Sequence, residues 1–174
     1  MQKHIISDEI LVTPDITLEI IPDKPIIDKE VSFEGLFQDN LEIVHPCIEQ
    51  WDISNVISLK HTFRDAHCMN ANLNQWNVEN VISMEGTFDG AWAFNKPLNA
   101  WKPTSVISFR KMFYRALLFN QDLNDWMSHV ESRADKLTED AFYKTFYYVR
   151  DLEQKYIKRW YSIQDNCRFK RSKN

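Results

Sequence analysis

The side chains that could do chemistry are scattered along the chain. Five histidines (His4, His45, His61, His67, His129) and three cysteines (Cys47, Cys68, Cys167) are the candidate metal ligands and nucleophiles. A zinc site needs paired ligands at short, fixed spacings. His61 and His67 stand six apart, no H-x-x-x-H occurs, and His67-Cys68 and His45-Pro46-Cys47 lack a second pair. No C-x-x-C exists, so the cysteines read as reduced thiols. None of the serines lies in G-x-S-x-G. With only 3 glycines there is no G-x-G-x-x-G or G-x-x-x-x-G-K loop to cradle phosphate. The carboxylates occur as dispersed surface acids. These patterns point away from an enzyme, and no cofactor or metal is expected.

Charge carries the remaining chemical signal. From Lys155 onward seven Lys/Arg face one acid, Asp165, a net +6; since the whole chain carries -4, the first 154 residues carry -10. In the tail, Arg168-Phe169-Lys170-Arg171 interleaves an aromatic ring with basic residues. Arg168, Lys170, Arg171 and Lys173 are therefore candidate phosphate contacts.

The elements that must position any site come from an internal repeat. Trp51, Trp76, Trp101 and Trp126 are spaced by 25 residues. Val56, Val81 and Val106 keep step with them, as do Ser58, Ser83 and Ser108, and Phe63, Phe88 and Phe113. Ala66/Ala91/Ala116, Asn70/Asn95/Asn120 and Leu73/Leu98/Leu123 do the same. An eroded earlier copy begins at Val31, where Ser32-Phe33-Glu34-Gly35-Leu36-Phe37 parallels Ser83-Met84-Glu85-Gly86-Thr87-Phe88.

Alternation around Trp76 and Val78 predicts a short strand with one buried face. Ser83 as N-cap, with Met84, Phe88 and Ala91 at spacings of four and three, predicts a two-turn helix after it. Each unit is expected to be strand, helix and return loop, with parallel strands and buried Trp, Val and Phe rows. The Asn row is expected to turn its amide onto backbone groups at the bend. The fold class is then an α/β solenoid, a short leucine-rich-repeat-like right-handed superhelix.

Four segments follow: an extended N-terminal cap (1–30), four repeats (31–126), a helical C-terminal cap (127–163) and a basic tail (164–174). The cap is expected to hold one long helix, about 138–163. The alternative is a drifted fifth repeat, because Phe142-Tyr143-Lys144 through Asp151-Leu152 echoes Phe113-Tyr114-Arg115 through Asp122-Leu123.

The units Trp51-Asp52-Ile53-Ser54-Asn55-Val56 and Phe94-Asn95-Lys96-Pro97-Leu98-Asn99-Ala100-Trp101 resemble the W-D-V-S-N-V…F-N-x-P-L repeat of the BspA-like, or mycoplasma-type, leucine-rich-repeat family, long labelled a domain of unknown function. The resemblance implies a small solenoid used for protein contacts. Lys102-Pro103-Thr104 departs from the usual D-V-S, and Pro103 should disturb strand pairing because proline has no amide hydrogen to donate.

Apolar residues make up 44% and charged residues 26%, a globular composition. No apolar run approaches the roughly 18 residues of a membrane helix. The N-terminus reaches Asp8 and Glu9 before a signal-peptide core can form. The expected setting is intracellular or within a virion or other particle. The expected function is a non-enzymatic protein–protein interaction or assembly module, with a protein partner and room for a homo-oligomer. The alternatives are nucleic-acid association through the tail and a small effector or immunity-type inhibitor of one partner. The candidate partner surface comprises the strand positions Gln50, Asp52, Ser54, Gln75, Asn77, Glu79, Ala100, Lys102 and Thr104, which are mostly polar and vary between units. The aromatic cluster with Tyr143, Tyr147 and Tyr148 joins them.

Overall fold

The computed structural model describes residues 4–7, 10–12, 30–42, 46–150, 152–153, 155–157 and 159–163. Strands β1 (His4–Ser7) and β2 (Ile10–Val12) form an antiparallel hairpin with an irregularity between Ile5 and Ser7. Strand β3 (Val31–Ser32) pairs in parallel with β4 (Val56–Ser58). Single parallel bridges then continue from Ser58 to Ser83 and from Ser83 to Ser108. Thus the serine row, not the tryptophan row, is where successive units pair.

The expected strands around Trp51, Trp76 and Trp101 are absent. Local turns compete for that backbone. The Asp52 and Asn77 carboxylate and amide oxygens accept the N–H groups of Ser54 and Glu79. Val56 and Val81 donate three residues back, to Ile53 and Val78. Side-chain oxygens of Asp and Asn that bond two residues on stabilise turns rather than ladders. In the fourth unit Pro103 has no Val-type turn bond after it; Thr104 donates to the Lys102 carbonyl instead.

The expected two-turn helices are also absent. After each serine the chain runs as overlapping β-turns. Leu36, Gln38 and Asn40 donate to Phe33, Gly35 and Phe37, and Thr62, Arg64 and Ala66 donate to Leu59, His61 and Phe63. Within each turn segment two residues four apart have positive φ: Gly35/Asp39, His61/Asp65, Gly86/Gly90 and Lys111/Arg115. A left-handed residue cannot continue a right-handed helix. It leaves alternate amides pointing out of the turn.

Those amides bind the next unit. Phe33, Gly35, Phe37 and Asp39 donate to Ser58, Lys60, Thr62 and Arg64. Leu59, His61, Phe63 and Asp65 donate to Ser83, Glu85, Thr87 and Asp89. Met84, Gly86, Phe88 and Gly90 donate to Ser108, Arg110, Met112 and Tyr114, all at 2.6–3.0 Å. The turn segment thus contributes four bonds to each junction, and further bonds run the other way beside it, from Ile82 to Ile57, Ala93 to His67, Ile107 to Ile82 and Leu118 to Trp92. At about 0.5–1.5 kcal/mol apiece, they offset the cost of about 1–2 kcal/mol for each left-handed non-glycine residue.

The ladder does not stop at 126. Phe109, Lys111, Phe113 and Arg115 donate to Ala141, Tyr143, Thr145 and Tyr147. Lys144 and Tyr148 repeat the positive φ pair. A fifth layer is thus bonded to the fourth. It is reached through a short 3-10 turn (Asn124–Trp126) and then an insertion that holds helix α1 (Met127–Glu131). The expected long helix over 138–163 is not formed, because Lys144 and Tyr148 are left-handed; among the described residues of that span the helical ones are 155–157 and 159–163.

Inside, like residues meet like residues. The Phe37, Phe63, Phe88, Phe113 and Phe146 rings form a parallel column with centroid steps of 5.4, 5.6, 5.5 and 5.7 Å. Such pairs contribute about 0.5–1.5 kcal/mol each beyond their buried area. The indole N–H groups of Trp76, Trp101 and Trp126 donate to the carbonyls of Ile48, Leu73 and Leu98. Thr62, Thr87 and Thr145 hydroxyls donate to Phe33, Leu59 and Phe109 carbonyls, so these buried polar atoms are all satisfied.

The Asn row works at the bend as expected. Asn70 Oδ1 accepts the N–H of Asn95, Asn95 Oδ1 that of Asn120, and Asn120 Oδ1 that of Glu153. Asn95→Ala strands the Asn120 amide and should lower unfolding free energy by about 1–3 kcal/mol. The exposed control Glu139→Ala should stay within about 0.5 kcal/mol. Denaturant titration measures both, and equal midpoints would show that the Asn row bears no load.

Candidate interaction surface

The variable polar positions come together only in part. Gln75, Asn77, Glu79, Ala100 and Lys102 line one shallow cavity of about 180 Å³ with Trp76 beneath. Yet several of them serve the fold. Asp52 and Asn77 hold turns, Thr104 Oγ1 donates to the Glu79 carbonyl, and Lys102 pairs with Glu79 at 3.8 Å. They lie on turns and loops rather than on a sheet face, which corrects their assignment to strands. Gln50 is exposed and Ser54 half-buried, outside that cavity.

Among the described residues no three His, Cys, Asp or Glu converge. His67 instead stacks on Trp92 with centroids 3.6 Å apart. His61 lies across Gly86, where an added Cβ would meet its Nδ1 at 2.3 Å. That Nδ1 is buried without a hydrogen bond, and burial, aided by Arg64, holds the imidazole below its usual range. Beside it, Arg115 Nη2 bridges Asp65 and Asp89 at 3.1 and 3.2 Å, tying three units together. Burial raises the Asp89 carboxyl, while the Arg115 hydrogen bond opposes that shift.

The aromatic cluster is the most developed surface. Tyr143, Tyr147, Tyr148 and Tyr161 are exposed at the fifth layer, Tyr148 by 61%. Lys144 stands 5.2 Å from the Tyr143 ring centroid and 5.3 Å from that of Tyr147. Its ammonium is held above the usual range by a hydrogen bond to Tyr143. Arg110 also lies over the Tyr143 ring, at 4.9 Å from its centroid, and pairs with Asp140. Tyr114 stacks under Tyr147 at 6.0 Å and receives Lys111 and Arg115. Residues 142–148 with Trp160 and Tyr161 enclose a cavity of about 250 Å³. The tail residues Arg168, Lys170, Arg171 and Lys173 lie outside the described residues.

Sequence reasoning named Tyr143, Tyr147 and Tyr148 but missed Lys144 and Tyr161. The echo it used aligned Phe142 with Phe113. The structure stacks Phe142 on Phe109 and Phe146 on Phe113, one turn away. What identifies the layer is the pair of positive φ values at Lys144 and Tyr148, matching Lys111 and Arg115, and neither residue type signals it in the sequence.

A stack of turn-linked layers with repeated Trp, Phe and Asn rows defines a repeat protein, and comparison places it more narrowly. Residues 31–146 match the family described as Mycoplasma protein of unknown function, DUF285, and the chain belongs to that family. The matched span runs from β3 into the fifth layer. No curated protein and no solved structure matches the chain. Among the described residues no helix is long and apolar enough to cross a membrane.

Two measurements probe the His61 neighbourhood. Gly86→Ala forces a side chain onto a φ of +59° and into His61; it should cost about 1–3 kcal/mol. Adding His61→Ala should return part of that cost in a double-mutant cycle, and strict additivity would deny the contact. Because burial lowers the His61 pKa in the fold, acidification below about pH 6.5 protonates the unfolded chain first and lowers stability. Thermal melts from pH 7.5 to 5.5 should show a decline that His61→Gln reduces; an unchanged slope would remove His61 as its source.

Proposed function

We propose that this chain is a non-enzymatic interaction or assembly module, a scaffold or component of a larger particle, built as a short leucine-rich-repeat-like solenoid of the BspA-like kind. The observation that carries this reading is the fifth-layer surface. Four exposed tyrosines gather near Lys144 and line one cavity of about 250 Å³. Tyrosine is enriched at protein interfaces because it brings large contact area at low entropic cost. The repeated polar residues, by contrast, are engaged in holding the layers. Asn70, Asn95, Thr87 and Asn77 all bond to backbone.

A photo-reactive phenylalanine analogue placed at Tyr147, and separately at Gln75 and at Lys136, tests the reading in cell extract. We expect one discrete adduct from Tyr147 that is lost with Tyr143→Ala/Tyr148→Ala, and none from Lys136. Equal, diffuse labelling from all three positions would sink it. Filter binding of single-stranded nucleic acid at low and high salt, with and without residues 164–174, decides the alternative. Salt-sensitive binding that needs the tail would favour the nucleic-acid reading over this one.

A further inference from the structure

We propose that the cavity at the fifth layer is a carboxylate site, which the protein partner fills with an acidic side chain. The inference rests on the interaction reading above and names the chemistry of the partner.

The turn segment 142–148 carries an excess of donors. The amides of Tyr143, Thr145 and Tyr147 close turns onto Asp140, Phe142 and Lys144. The carbonyls of residues 142–145 and 147 already accept backbone amides, from within the layer or from the fourth layer. The amides of Phe142, Lys144, Phe146 and Tyr148 have no acceptor among the described residues, whereas the equivalent amides of Phe109, Lys111, Phe113 and Arg115 are bonded. Trp160 lines the same cavity. Its indole N–H is buried without an acceptor, while those of Trp76, Trp101 and Trp126 each reach a carbonyl. Buried donors are ordinarily paired, so this one marks a place for an acceptor that the chain does not supply.

Charge agrees with that bookkeeping. Lys144 lies 5.2 and 5.3 Å from the Tyr143 and Tyr147 ring centroids and pairs with no carboxylate among the described residues. The residues that line the cavity include no Asp or Glu. An ammonium, an indole N–H and unpaired backbone N–H groups together suit an oxyanion, because hydrogen bonds to a charged acceptor are about twice as strong as neutral ones.

Size and the surrounding ion pairs choose among anions. The cavity of about 250 Å³ is smaller than the roughly 300–1,000 Å³ of small-molecule sites and suits a side chain. A nucleic-acid strand needs a row of uncommitted cations. Here Arg110 pairs with Glu85 and Asp140, Arg115 with Asp65 and Asp89, and Arg159 with Glu131. Residues 164–174 carry four Lys/Arg against Asp165, the wrong sign for this cavity. An Asp or Glu beside an apolar residue meets both the cation and the exposed rings of Tyr147, Tyr148 and Tyr161.

Amide-resolved nuclear magnetic resonance on the full chain tests this. The probe is a short capped peptide of alternating glutamate and phenylalanine, and the control is its glutamine counterpart. The glutamate peptide should saturate the protein and move the Trp160 indole and the Lys144, Phe146 and Tyr148 amide signals downfield; the glutamine peptide should not. Lys144→Gln and Trp160→Phe should each weaken the glutamate peptide about tenfold or more. Lys144→Arg should retain most of the affinity, and the exposed Lys136→Gln should leave it unchanged. Lys144→Gln alone decides if Trp160→Phe does not fold. An equal response to both peptides, no response to either, or a response that Lys144→Gln leaves intact overturns the proposal. So does oligothymidylate or inorganic phosphate that moves the same signals at lower concentration than the peptide. Self-association of the purified protein that Lys144→Gln abolishes would give the cavity to a second copy and overturn it as well. An extract adduct at Tyr147 that survives Lys144→Gln keeps the partner reading and discards this one; absence of that adduct with the peptide response intact does the reverse.

Discussion

The recurrence of a left-handed residue at every fourth position of the turn segment is the constraint on which the other features depend. It prevents a helix, and by preventing it frees alternate amides. Freed and buried amides must find acceptors. They find them one layer on, which fixes the spacing between layers and places Phe over Phe and Trp beside Trp. The apolar columns are thus a result of backbone register as much as its cause. Where the left-handed residue is glycine, as at Gly86 and Gly90, the missing Cβ also makes room for His61 and Asp65 of the layer before.

Side-chain polarity serves the same register from the outside. The Asn row caps the bend, the Thr row gives a second hydrogen bond to carbonyls of the layer before that already accept a turn amide, and Arg115 reaches back across two layers to Asp65 and Asp89. This explains why so few polar residues along the stack are at liberty.

The repeat length and the buried rows were legible in the sequence, because identical residues at 25-residue steps need no structural assumption. The local conformation was not. Met84, Phe88 and Ala91 recur at helical spacing, but four residues is also the period of this turn ladder, and side-chain pattern alone cannot separate the two. The difference lies in the sign of φ at His61, Asp65, Lys111 and Arg115, and polar residues do not announce it as glycine does. Asp52 and Asn77 looked like free positions on a strand, whereas their oxygens are turn-formers. At the candidate surface, Tyr143, Tyr147 and Tyr148 were visible as an aromatic excess. Lys144 became meaningful only once its layer was aligned, and the insertion at 127–137 had hidden that alignment.

That insertion has a consequence of its own. Phe88 and Phe113 lie 25 residues apart, Phe113 and Phe146 lie 33 apart, yet their rings sit 5.5 and 5.7 Å from each other. Circumference and rise are therefore independent variables in this architecture. The turn segment alone sets the rise, and the remainder of each layer can lengthen outward, as α1 does, without disturbing the layers above and below. New loops can be added to the perimeter of such a protein while its axial dimension stays the same.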